Sequence, residues 1–147
     1  MKNFYDLLDT NPKIEFILEL DVINDNGNPM AEVILNKQRI FGNHHLVGLR
    51  RFVTTVNLLD PINLEITMSG KEYSIEKETA IIIKKLSFDN VDIIENGYFQ
   101  YVTYTNDHNI NNPTAYLGFN GTWKLTIDIP FYQWKHHVTG QGWLLSP

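Results

Sequence analysis

The decapeptide Lys13-Ile14-Glu15-Phe16-Ile17-Leu18-Glu19-Leu20-Asp21-Val22 decides the fold class. Ile14, Phe16, Leu18, Leu20 and Val22 fall on one face, and Glu15, Glu19 and Asp21 on the other, with Ile17 the one exception. Period two is the signature of a half-buried strand. The pattern recurs outward from here. AEVILNKQRIF (31–41) reads as a hairpin about Asn36-Lys37. RRFVTTVNLL (50–59) puts Phe52, Thr54, Val56 and Leu58 on one side until Asp60-Pro61 stops it. LEITMSGKEYSI (64–75) reads as a second hairpin, turning at Ser69-Gly70-Lys71 and returning through Tyr73 and Ile75. ETAIIIKKLSFDNVDI (78–93) is a continuous apolar run suited to a strand covered on both faces. YFQYVTYTN (98–106) alternates again. TWKLTIDIPFYQW (122–134) places Trp123, Leu125, Ile127 and Ile129 inward until Pro130 ends the ladder.

Turn formers punctuate these runs, as in Asn24-Asp25-Asn26-Gly27-Asn28-Pro29. Only Asn3–Asp9 has helical spacing, through Phe4, Leu7 and Leu8. About eight to ten strands with turn signals every ~8–12 residues predict an all-β protein, an antiparallel β-sandwich of jelly-roll type. No repeat, charge block or linker divides the 147 residues, so one domain spans 1–147, closing in an aromatic tail at 131–147.

Composition removes several function classes. Twelve basic against 17 acidic residues give a net charge of −5, which disfavours nucleic acid and anionic membranes as partners. The basic pairs Arg50-Arg51 and Lys84-Lys85 sit in strand-like runs, where neighbours point to opposite faces. Without cysteine there is no disulfide, thiol nucleophile or Cys-ligated zinc. The first 16 residues do not read as a signal peptide, and no apolar run reaches the ~18–20 residues of a membrane span.

Enzyme motifs are missing too. None of the four serines lies in a nucleophile elbow, and there is no phosphate-binding glycine loop or HExxH. Glu15 and Glu19 share a strand face, as a glycosidase pair would, but such a face is ordinarily just solvated. The expectation is a protein that is not an enzyme and holds no cofactor or metal. His44-His45 and His136-His137 cannot chelate as strand neighbours, and a metal would need different segments to converge.

Two clusters remain as candidate binding residues. The first is a polar loop, Asn106, Asp107, His108 and Asn109, whose single carboxylate suits polar ligand contacts better than calcium. The second is the tail, with Tyr132, Trp134, His136, His137 and Trp143. Its aromatics could complete the core, stack on a sugar ring, or anchor a protein interface, where Trp and Tyr dominate. A terminal strand could also add to a neighbour's sheet edge. The interface is the reading taken here: anchors at Tyr132, Trp134 and Trp143, rim contacts from His136 and His137, and turns at Gly140 and Gly142.

Two resemblances bear on function. From about Ile14 to Ile93, through VILNKQRIF, INLEITMSGKEYS and TAIIIKKLSFDNVDI, the chain resembles jelly-roll carbohydrate-binding modules. That implies a sandwich able to bind polysaccharide, although the calcium-holding acidic loops of such modules have no counterpart here. Through YLGFNGTW and FYQWKHHVTGQGWLL, the chain is similar to small β-sandwich proteins of tailed phages from marine cyanobacteria. That resemblance implies a virion protein made in the host cytoplasm: a head decoration, neck, tail or fibre-attachment component. Its partners would be other virion proteins or copies of itself, with a host glycan as the alternative ligand.

Overall fold

The computed structural model describes residues 12–140. Ten strands are formed among them: β1 (Lys13–Asn24), β2 (Met30–Leu35), β3 (Gln38–His45), β4 (Arg50–Asn57), β5 (Ile62–Ser69), β6 (Thr79–Phe88), β7 (Val91–Asp92), β8 (Val102–Asn106), β9 (Tyr116–Leu117) and β10 (Gly121–Ile127). One helix, α1 (Phe131–Thr139), follows. All strand pairings are antiparallel. The first sheet runs β4-β1-β6-β7, with β9 also paired to β6, and the second runs β3-β2-β5-β10-β8. The chain is therefore an all-β antiparallel sandwich, as the periodicity predicts.

The core is the sum of the period-two faces. Phe16, Leu18 and Leu20 of β1 meet Val33 of β2, Leu64 and Ile66 of β5, and Trp123 and Leu125 of β10, all fully buried. Trp123 is inside because its one polar atom is satisfied: Nε1 donates to the Thr114 carbonyl at 2.8 Å. Asn36 and Lys37 both have positive φ (47° and 68°), the backbone of a tight two-residue hairpin turn between β2 and β3. The β6 run switches phase: Glu19 faces Lys85 but Leu20 faces Ile83, so Lys84 is an inserted residue. Ile81 and Ile83 point inward before it and Leu86 and Phe88 after it, and simple alternation across Lys84-Lys85 is lost.

Four expectations are corrected. Residues 71–78 form no strand, so LEITMSGKEYSI is not a hairpin. Both edges of β5 are already taken by β2 and β10, leaving no place for a returning strand. In YFQYVTYTN, residues Phe99–Tyr101 form a 3-10 turn, and the strand starts only at Val102. Ile129 lies beyond the end of β10 and is exposed, not inward. Finally, 131–139, expected as part of an aromatic tail with no helix beyond 3–9, is a helix. Pro130 stops β10, and Phe131, Trp134 and Val138 then recur at helical spacing toward the core. The helix start is satisfied by the turn after β4: Phe131 N–H donates to Asp60 O at 3.0 Å and Tyr132 N–H to Leu58 O at 3.1 Å. Gly140, with φ 67°, ends it in the left-handed conformation. The expected N-terminal helix (3–9) lies outside the described residues.

Candidate functional site

Strand register gathers four connections at one end of the sandwich. Met30 pairs with His45 and Ser69, Gly121 with Met68 and Asn106, and Asn24 with Thr79. Segments 25–29, 46–49, 70–78 and 107–120 therefore share that end, while α1 lies at the other.

The predicted polar loop sits here and is built from side-chain-to-backbone bonds. Asn106 is buried, and its Oδ1 accepts from His108 N–H (3.0 Å) and Ile110 N–H (3.2 Å), while its Nδ2 donates to Ile110 O (2.8 Å). Asn106 thus shapes the loop rather than presenting a ligand contact. Asn109 has φ 53°, a left-handed position that asparagine tolerates. Beside β8, Thr103, Thr105, Asn106, Asn109 and Asn111 line a concavity of about 330 Å³.

Asp107 and His108 reach outward to a segment the sequence reading treated as strand. Tyr73 donates its hydroxyl to Asp107 Oδ1 at 2.6 Å, and His108 Nδ1 lies 2.7 Å from the same oxygen. These bonds hold the Asp107 carboxyl below the usual carboxylate range, Tyr73 contributing most and His108 next. Burial, then the Asp107 bond, push the Tyr73 hydroxyl up to about 12. The His108 ring stacks on Phe119 at 4.4 Å, with Tyr73 edge-on to it at 4.5 Å.

A second knot ties 70–78 to 116–120. Lys71 is nearly buried and pairs with Glu78, and its ammonium also donates to Gly118 O at 2.6 Å. Tyr116 donates to the other Glu78 oxygen at 2.6 Å. Burial raises the Glu78 pKa, but the Lys71 and Tyr116 hydrogen bonds outweigh it and the net shift is downward. Burial and Glu78 together push the Tyr116 hydroxyl up. The Asn120 side chain acts as a substitute peptide, accepting from Lys71 N–H (2.9 Å) and donating to Lys71 O (3.0 Å). Tyr104 closes the network, donating to Phe119 O (2.6 Å) and accepting from Phe119 N–H (3.0 Å).

The loop end therefore has a fixed polar frame. It also carries most of the exposed apolar surface. Of eight large apolar side chains exposed among the described residues, six lie there: Val47, Leu49, Tyr73, Ile75, Ile110 and Tyr116. Sequence alternation missed Tyr73 and Ile75 because it assigned them to a strand. The signal available was the density of polar and turn residues around isolated apolar ones.

The tail residues divide differently. Trp134 is only 2% exposed, wedged among Phe131, Tyr98 and Tyr101 at ring distances of 5.3–5.6 Å. It is a core residue, which corrects its reading as a partner-binding anchor: the helix turns it inward where a strand would have offered it to solvent. Among the described residues its Nε1 has no hydrogen-bond partner, and the Tyr98 and Tyr101 rings stand nearly perpendicular to the indole. Tyr132 is half-buried against the core, His136 is half-buried, and His137 is exposed. Trp143 lies outside the described residues. Lys135 anchors α1 through Asp89 at 2.8 Å. The structure thus brings the polar loop together with 71–78 but places Tyr132, Trp134, His136 and His137 at the far end.

Among the described residues there is no group of three or more His, Asp or Glu side chains placed to hold a metal. Glu19, one of the paired strand carboxylates, lies 3.8 Å from Arg51. No helix among the described residues is long and apolar enough to cross a membrane. No protein family, curated protein or solved structure matches this chain, so the two resemblances rest on the residues quoted for them alone.

Proposed function

We propose that this protein acts by protein–protein association, through the loop end of the sandwich, as a structural or accessory component of a phage virion. The observation that carries the association is the concentration of exposed apolar side chains at one end, where Asn106, Asn120 and the Lys71–Glu78 pair fix 70–78 and 106–120, and Leu46 N–H bonds Pro29 O at the start of 46–49. Pre-ordered loops lose little entropy on docking, and exposed apolar groups on them supply the desolvation energy. The virion setting comes from the sequence resemblance. The test is co-sedimentation of the protein with assembled particles, comparing wild type with Leu49→Asp/Ile75→Asp. Both positions are exposed, so the variant should keep its melting temperature and leave the particle fraction. Equal recovery of both proteins counts against this surface.

A specific cluster favours glycan recognition as a second reading. Tyr73, 44% exposed, sits beside the His108–Phe119 stack and the exposed Asp107 carboxylate, an aromatic platform with a sugar-hydroxyl acceptor next to it. A glycan array that responds to wild type and not to Tyr73→Ala, with no particle association, would select it.

A further inference from the structure

Among the described residues, three of the sheet edges are blunted and one is not. β7 and β9 are two residues each, so they offer almost no ladder. β3 carries two register shifts against β2. β8 has five residues, and the Asn109–Asn111 loop folds beside it. β4 is different. It has eight residues, pairs with β1 in unbroken register from Asn57 to Arg50, and contains no proline, glycine or lysine. Its middle, Val53-Thr54-Thr55-Val56, is β-branched throughout. Val53 on its outer face is 54% exposed. Short length, bulges, proline and charged side chains are the usual protections of a free edge; the only charges of β4, Arg50 and Arg51, sit at its first two positions and leave Phe52–Asn57 without any.

We propose that β4 is the homodimerisation edge: it pairs antiparallel with β4 of a second copy about a two-fold axis at Thr54, joining the two first sheets into one. An isologous contact requires a strand that complements itself. With Thr54 on the axis, Val53 faces Thr55 of the other copy, Phe52 faces Val56, and Arg51 faces Asn57. Each cross-strand pair keeps both side chains on the same sheet face. Phe52–Val56 is an aromatic–β-branched pair and Thr54–Thr54 a Thr–Thr pair, combinations that stabilise antiparallel neighbours, and Val53–Thr55 joins two β-branched side chains. The arginines of the two copies are carried to opposite ends of the ladder, so no like charges oppose each other. Arg50 already packs over Phe41 (5.3 Å) and Phe52 (5.8 Å), and Arg51 lies 3.8 Å from Glu19. A foreign strand could use the same free backbone groups. The side-chain match is what favours a second copy. This inference does not rest on the loop-end reading, which concerns a different surface.

Sedimentation velocity of the full chain tests it. Wild type should sediment as a concentration-dependent dimer. Val53→Lys/Thr55→Lys places lysine opposite lysine twice and should raise the dimer dissociation constant roughly 30-fold or more, with the circular dichroism unchanged. Val53→Lys/Thr55→Glu places lysine opposite glutamate twice and should remain dimeric. Because the protein has no cysteine, Thr54→Cys should form a disulfide-linked dimer on mild oxidation, with no competing thiol. A monomeric wild type, or a double-lysine variant that stays dimeric, would overturn the proposal. Equal dissociation of the Lys/Lys and Lys/Glu variants would overturn the Thr54 axis.

Discussion

Asn120 and Gly121 make adjacent contributions that neither could exchange. The Asn120 side chain satisfies both backbone groups of Lys71, where β5 has no strand to continue the ladder. Asn120→Ala strands that N–H and C=O, and we expect it to cost about 1–3 kcal/mol, read from the urea midpoint at unchanged m-value. At Gly121 the limit is space: a Cβ would stand 2.2 Å from the Thr105 carbonyl oxygen and 2.6 Å from Asn106 Cα, both backbone atoms of the paired strand. Gly121→Ala must therefore push β10 from β8, and a loss of roughly 1–3 kcal/mol or more follows. Protonation acts at the same scale. The carboxyls of Asp107 and Glu78 are depressed in the folded protein, so their contribution is present above the unfolded carboxylate range of about 4 and is lost as pH falls through their lower folded values. Tyr73 has the opposite sign. Raised to about 12, it stabilises fully below the unfolded tyrosine value of about 10, and that stability disappears as pH rises through the folded value. Tyrosinate absorbance should show a late-titrating class among the seven tyrosines, smaller in Tyr73→Phe.

At the scale of elements, α1 explains what its aromatics are for. Phe131 contacts Phe88 and Trp134, and Trp134 contacts Tyr98 and Tyr101, so one face of the helix plugs the end of the sandwich opposite the polar frame. Trp134→Ala should cost about 3–5 kcal/mol, comparable with removal of any core aromatic. His137→Ala, on the exposed face, should stay within about 0.5 kcal/mol in the same thermal denaturation experiment. If both substitutions proved neutral, the helix would not be part of the core. The edge strands carry the other element-level lesson. Where an edge is short, bulged or flanked by a loop it needs no partner, and among the described residues β4 is the long, regular edge whose outer ladder has none.

Across the whole molecule, distant segments must meet before either sheet is complete. Thr67 of β5 bonds Thr122 of β10 at 2.9 Å across 55 positions of sequence, and β1 is sandwiched between β4 and β6. Such topologies fold in about milliseconds to seconds, so Trp fluorescence in stopped-flow refolding should report a phase in that range as Trp123 is buried. The sequence by itself determined the fold class. Period two is written in β1, β2, β5 and β10 because each has one face on the core, and the hairpin between β2 and β3 is marked by Asn36, which accepts positive φ, whereas the positive φ of Lys37 is imposed by the paired strands. What only the tertiary structure decided was which strand lies beside which. The apparent return strand at Tyr73 was forbidden because β10, more than 50 residues away, had already taken that edge of β5. The frame around Lys71, Asp107 and Asn120 was invisible for the same reason, since its bonds join residues 34 to 49 positions apart. Local alternation records which side of a strand faces oil. It carries no record of which neighbour supplies the other half of each hydrogen bond.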